Sequence, residues 1–388
     1  MNEIATMAEF RFGPRYRKSP FFEATRRAGC KSWGIYNHMY LPDYYDDPVE
    51  EYRSLTNDVT LWDVSVERIV EVTGPDASEF TNRLTPRDLT KCAVGQGKYV
   101  LITAEDGGIV NEPVLLRLGE NQWWLALSDS DAGLWARGYS VSSGLDVKVR
   151  EPEVYPVQVQ GPKSKDVMTH LFGDSVMNIR YYWTMETDLD GIPVVISRTG
   201  WSAEIGFEIY LRDPSRGEEL WERIMEAGEP YRIRPIAPSQ IRRIEAGMVR
   251  YGADITIENN PFEVMGLERL VEDQDADYIG KEALMRIKAE GVSRKLVGFI
   301  LDNDEPVRGL PDAAPAFRDG EETGRVTTIV WSPRMERNIG YVWVPIEFAA
   351  PGNKLEVRTL TGTAMGQTAA LPFFDPKKTM PSQGLSAD

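Results

Sequence analysis

Near residue 290 the chain changes the way it alternates, and that change restricts the fold more than any other feature. Before it, short apolar runs of period 2 are interleaved with segments of helical period. Strands are predicted over 60–64, 69–73, 99–103, 109–118, 121–127, 155–160, 192–198 and 206–211, and helices over 47–57, 75–84, 129–143, 216–228 and 238–248. After a charged linker with a short helix at 268–295, only short β segments with Gly and Pro turns follow, at 295–301, 324–331, 339–345 and 354–359. That order predicts an α+β region followed by a separate antiparallel β-barrel or sandwich. The expected division is 1–290 for two intertwined α+β subdomains, 291–376 for the β domain and 377–388 for a disordered tail, with 1–30 as an N-terminal arm.

Two stretches in the first region echo each other. Gly74-Pro75-Asp76-Ala77 and Gly161-Pro162-Lys163-Ser164 each follow a strand, place Pro second and open a helix. The echo hints at an internal duplication too short to prove from identity.

Charge and rare residues narrow the chemistry. The formal net charge is −16, from 60 acids and 44 bases, which disfavours a nucleic-acid partner or an anionic membrane surface. Cys30 and Cys92 lack CxxC spacing, and His38 and His170 cannot supply a multi-histidine site, so no metal is expected. A cytoplasmic protein with reduced thiols is the expectation, since no run approaches 18 apolar residues. The sequence has no GxGxxG after a strand, GxxxxGK[ST], HExxH or GxSxG, which disfavours an independent nucleotide-binding oxidoreductase or a serine hydrolase.

Positive candidates come from strand geometry. If the turn at Glu105-Asp106-Gly107-Gly108 centres between Asp106 and Gly107, Tyr99 faces Val114 and Leu101 faces Glu112. Tyr99 and Glu112 then lie diagonally on one face; a one-residue slip would separate them. In 206–211, Phe207, Ile209 and Leu211 form a core face while Glu208 and Tyr210 share the other, just after Arg198-Thr199-Gly200-Trp201. A carboxylate there could accept two parallel hydrogen bonds from a ring with adjacent N–H donors. Spacing alone favours solvated acids at both 112 and 208. The rings of Phe21, Phe22, Trp33, Tyr36, Tyr44 and Tyr45, and of Tyr181-Tyr182-Trp183, could cage an onium cation, although packing explains such clusters more often.

Taken in order, the motifs resemble the glycine cleavage T-protein superfamily. Gly95 to Thr103 with Gly107 to Val114, Val159-Gln160-Gly161-Pro162, Arg198 to Trp201 with Gly206-Phe207-Glu208, and Arg243 to Met248 carry the resemblance, as do Ile279 to Leu284, Leu296 to Phe299 and Ile339 to Val342. Within it, the chain is most similar to the dimethylsulfoniopropionate demethylases, through Tyr36 to Pro42, Leu61 to Val64 with Val66-Glu67-Arg68, Leu127 to Asp131 and Ile179 to Trp183.

The resemblance implies a three-domain cloverleaf, with two ferredoxin-like mixed α/β domains plus a C-terminal antiparallel β-barrel around a folate channel. It implies tetrahydrofolate as cofactor, Glu208 on the pterin edge, Tyr99 and Tyr210 lining the pocket, and Trp201 beside it. The family usually carries Asp where this chain has Glu112, the implied catalytic acid nearest the reactive folate nitrogen; Glu is one methylene longer. Tyr36, His38, Trp183 and Arg243 are candidates for the substrate side. Methyl transfer from a small onium donor to tetrahydrofolate is the implied reaction. The alternatives are aminomethyl transfer with a lipoyl carrier protein as partner, O- or N-demethylation of another metabolite, and non-catalytic folate binding. The iron–sulfur branch of the last class carries Lys-Gly-Cys-Tyr-Thr-Gly-Gln-Glu, whereas residues 198–204 here lack Cys. A homodimer stays open.

Overall fold

The computed structural model describes residues 12–307, 310, 314–360 and 362–385; the first eleven residues of the expected arm and the last three of the expected tail lie outside them. Two large sheets, accompanied by two two-stranded ones, make up the first region. One has five antiparallel strands in the order Lys148–Arg150, Ile69–Thr73, Gln122–Ala126, Val114–Gly119, Gly97–Tyr99. The other has six, in the order Thr184–Leu189, Ile192–Ser197, Gly206–Leu211, Tyr155–Gln160, Thr60–Asp63, Arg234–Pro235, with only the last pair parallel. The strand Thr60–Asp63 precedes the whole first sheet in sequence yet pairs inside the second, so the two units are intertwined.

Period-2 alternation splits each strand between two buried faces. Val70, Val72, Trp123 and Leu125 pack under the helices Ala77–Arg83 and Ala132–Ser142. Val157, Val159, Phe207 and Ile209 pack under Ser164–Phe172 and Gly217–Gly228. The opposite faces of the two sheets meet through Ile69, Leu116, Trp124, Val195 and Tyr210. Glu208, on such a face of the second sheet, is therefore buried between sheets at 2% exposed, and Glu112, between Ile109–Asn111 and Val114–Gly119, is 6% exposed, so neither is the solvated acid that spacing favours.

The Gly-Pro echo has a geometric basis. Gly74 and Gly161 have φ of +127° and +121°. A Cβ would sit 2.4 Å from the Asp146 carbonyl oxygen at the first and 2.6 Å from that of Asp58 at the second. Both turns need glycine for conformation and for close approach.

The C-terminal unit is a closed six-stranded barrel: Arg294–Leu301, Arg337–Pro345, Glu321–Ser332, Ala314–Arg318, Lys354–Thr359 and Gly362–Ala369, the last returning to the first. All its ladders are antiparallel. Closure into a barrel rather than a sandwich depends on Ala314–Arg318 and Gly362–Ala369, two strands that the alternation pattern does not predict.

Two further departures concern the ends. A hairpin, Ser32–Tyr36 with Met39–Tyr44, follows a helix at Phe22–Arg27. The tail expected to be disordered from 377 instead folds back as far as Leu385, which is buried. The buried guanidinium of Arg198 donates to the carbonyls of Pro381 (2.9 Å) and Gln383 (2.5 Å). A buried cation needs acceptors, and the tail backbone supplies them. Among the described residues no helix is long and apolar enough to cross a membrane.

Candidate functional site

The hairpin register of 99–112 comes out as the turn chemistry predicts: Tyr99 pairs with Val114 and Ile102 with Asn111. A bulge after Ile102 sits beyond the pair that matters. Tyr99 and Glu112 therefore share a face, and the Tyr99 hydroxyl donates to Glu112 Oε2 at 2.8 Å. Ser128 Oγ donates to Oε1 at 2.5 Å. Burial raises the Glu112 pKa to about 7, against the lowering influence of Ser128, Tyr99 and the Tyr251 amide.

Glu208 stands on the middle of the second sheet, directly opposite Gln158. Gln158 Nε2 donates to its Oε1 at 2.7 Å, and the hydroxyls of Tyr210 (2.8 Å) and Thr199 donate to Oε2. Burial raises its pKa, and these three donors oppose the rise. A third acid, Glu67, receives, among the described residues, one bond, at 3.3 Å from Gln158. Burial pushes the Glu67 carboxyl well above the usual carboxylate range, with Glu208 and then Glu112 adding to the effect.

These carboxylates converge on one cavity of about 550 Å³ between the sheets and the barrel side, within the range of pockets for drug-sized ligands. Tyr36, Tyr99, Glu112, Trp201 and Glu208 all line it. Its buried end is acidic and aromatic. Its exposed end carries Arg269, Lys377 and Lys378. That polarity suits a ligand with an N–H-rich head and an anionic tail.

Four of the expected residues are placed elsewhere. Tyr210 is wholly buried between the sheets, against Trp124 (6.0 Å between centroids), and holds Glu208 rather than lining the pocket. His38 is exposed at the tip of the 32–44 hairpin with φ +62°; the turn beside Asn37 uses its backbone. Trp183 packs against the helix-covered face of the second sheet under the Arg180 guanidinium, 3.7 Å from its ring. Arg243 is buried in an ion pair with Asp254 (2.6 Å) and lies 5.6 Å from the Trp201 ring, behind the wall.

Other residues take their places. Tyr182, not its neighbour Trp183, faces the cavity. Gln158 is legible in the sequence as a polar residue alternating with Val157 and Val159. Glu67 and Ser128 stand inside resemblance motifs that imply no role for them. Arg250 has no local signal at all.

Comparison with known proteins supplies the context. The sequence matches the GCVT N-terminal domain over residues 21–274 and the glycine cleavage T-protein C-terminal barrel domain over 294–375. It is 35% identical over 348 residues to the dimethylsulfoniopropionate demethylase DmdA of Ruegeria pomeroyi, covering 90% of this chain and 94% of that one. It is 31% identical over 365 residues to the aminomethyltransferase of Halothermothrix orenii, covering 92% of this chain and all of the other. The crystal structure of the glycine cleavage system aminomethyltransferase T from Bartonella henselae superposes with a TM-score of 0.82 at 24% identity, over 92% of this chain and 98% of that one.

Proposed function

Because the chain belongs to the glycine cleavage T-protein family, and the demethylase and aminomethyltransferases it matches are tetrahydrofolate-dependent one-carbon transferases, we propose that it moves a methyl group from a small onium metabolite to tetrahydrofolate. One observation supports the onium reading above the rest. Three carboxylates, Glu67, Glu112 and Glu208, share the buried end of the cavity with the rings of Tyr36, Tyr99 and Trp201. Acidic groups and ring faces together favour a cation whose charge is spread over methyl groups.

The residues present fit tetrahydrofolate. Glu208 is fixed by three donors and faces the cavity, where it would accept from the pterin N–H groups. Tyr99, Tyr182 and Trp201 supply flat walls, and Arg269, Lys377 and Lys378 stand at the mouth for the carboxylate tail. The chemistry tetrahydrofolate supplies when bound is a nucleophilic nitrogen that accepts the one-carbon group and loses a proton. Glu112 would take up that proton, since a carboxyl with a pKa near 7 is half ionised at neutral pH. In the donor, the methyl–sulfur bond breaks with its electron pair passing to sulfur. The departing sulfide is neutral and needs no acid. The protein's main contribution is then positioning.

The test is a methyl-donor panel with tetrahydrofolate, reading methylated folate by mass. Dimethylsulfoniopropionate, a quaternary ammonium donor, an O-methyl donor and a lipoylated carrier protein are compared. Product from an onium donor alone is expected. Turnover that requires the lipoylated carrier would replace this reading with aminomethyl transfer. Folate binding with no product from any donor would favour a binding protein.

Glu208→Gln tests the folate arm. It exchanges an acceptor for a donor, places an N–H against the pterin N–H groups, and removes a charge-assisted pair. Folate affinity should fall by roughly 1.5–3 kcal/mol in calorimetry. Unchanged affinity would remove Glu208 from the pterin edge.

A further inference from the structure

Around Tyr36 the cavity wall carries a guanidinium and a carboxyl group that the protein leaves poorly matched. Arg250 lines the cavity with its guanidinium 5.6 Å from the centroid of the Tyr36 ring. Its backbone N–H donates to Asp254, but no carboxylate among the described residues pairs with its side chain. Arg243, seven residues earlier, shows the contrast: it takes the Asp254 carboxylate at 2.6 Å. Glu67 is the under-supplied acid. Among the described residues Glu112 accepts from two side-chain hydroxyls and Glu208 from three side chains, whereas Glu67 has the one long bond from Gln158.

Tyr36 links the two. Its phenol responds chiefly to burial, then to Glu112, and to Glu67 and Arg250 with opposite signs, so both charges lie within electrostatic reach of it. A lone anion would satisfy Arg250 and leave Glu67 idle; a lone cation would do the reverse. A guanidinium fork matches a carboxylate geometrically. A carboxylate beside a ring face matches an onium group.

We propose that Arg250 and Glu67 are the donor-specificity residues of this cavity, Arg250 binding the carboxylate and Glu67 the onium end of one small zwitterion laid across Tyr36. The inference rests on the onium reading above and assigns its selectivity to residues of this chain. A ligand that bridges them brings Arg250 a carboxylate, and its onium charge draws Glu67 into the ionised form.

Three ligands resolve it by calorimetry on the full chain: an onium carboxylate (dimethylsulfoniopropionate), its methyl ester, and the neutral thioether carboxylate. Arg250→Gln should weaken the onium carboxylate and the thioether carboxylate by roughly ten- to a hundredfold, the range for a charge-assisted bond, and leave the ester unchanged. Glu67→Gln should weaken the two onium ligands and leave the thioether carboxylate unchanged. Folate affinity and thermal midpoint measured alongside separate a binding role from a structural one. Equal losses for all three ligands, or none, would overturn the assignment. Failure of the parent reading looks different: wild-type protein would bind none of the three and form no methylated folate from the onium carboxylate.

Discussion

Glu112→Gln should slow single-turnover methyl transfer about a hundredfold at neutral pH and still leave it measurable, with folate binding intact. The carboxylate sits between the Tyr99 and Ser128 hydroxyls at 2.8 and 2.5 Å, and the amide keeps that place while losing the basicity. General-base contributions are about 10²–10⁴-fold. The lower end applies because only the acceptor's proton needs a home; the sulfide leaves neutral. The pH profile follows from the same group. Its pKa is raised to about 7, and the ionised form is the competent base, so the wild-type rate should rise with pH through about 7 and level off above it. In the Gln variant that inflection should vanish. Glu112→Asp shortens the side chain by one methylene and draws the carboxylate off both hydroxyls. A displacement of about 1 Å costs on the order of a hundredfold, so Asp should be slow even though it is ionisable. Complete loss in Glu112→Gln with folate still bound would mean that the acid protonates a leaving group, as aminomethyl transfer requires.

The Tyr99–Glu112 pair is legible in the sequence because two local rules fix it. The Gly107-Gly108 turn sets the register and the pleat sets the face, and the bulge after Ile102 falls outside the pair. Glu208 with Tyr210 is legible for the same reason. Burial is not, since it depends on a second sheet covering the polar face, and no pattern within 206–211 announces that. Tyr182 and Trp183 show a different limit. Adjacent rings in an irregular loop point in directions set by backbone torsion, and Tyr182 adopts φ +61°, which sequence does not reveal. Arg250 reaches the cavity through a loop after the helix Gln240–Glu245, where no periodicity applies. The tail has the small polar residues of a disordered segment, while its anchor, Arg198, lies some 180 positions away; local composition carries no trace of so distant a partner.

Removing one member of the ion cluster beneath the cavity should cost about 3–5 kcal/mol of stability, the range for a buried pair broken from one side. Arg242 Nε donates to Glu204 at 2.6 Å, with the two side chains 0% and 2% exposed. Arg334, from the barrel, stands 3.7 Å from both Glu204 and Glu245. Glu245 also accepts from Tyr52 at 2.9 Å and from Ser332 at 2.6 Å. One cluster thus ties the 198–206 turn, two helices and the barrel together, with two cations against two anions. Glu204→Leu leaves two cations, the buried Arg242 and the half-buried Arg334, facing one anion, and Arg242→Met leaves the reverse imbalance. The double variant returns to one against one and replaces the 2.6 Å pair by apolar groups of similar bulk, a change that is often close to neutral. Its loss in urea unfolding should therefore be well below the sum of the single losses, a coupling of at least about 1 kcal/mol. Single losses under about 1 kcal/mol, or strict additivity, would show that the cluster is solvated rather than buried. The turn that Glu204 anchors also carries Trp201 and Thr199, one a cavity wall and the other a donor to Glu208. Folate affinity in the single variants should fall together with stability and recover in the double, because the same turn carries both.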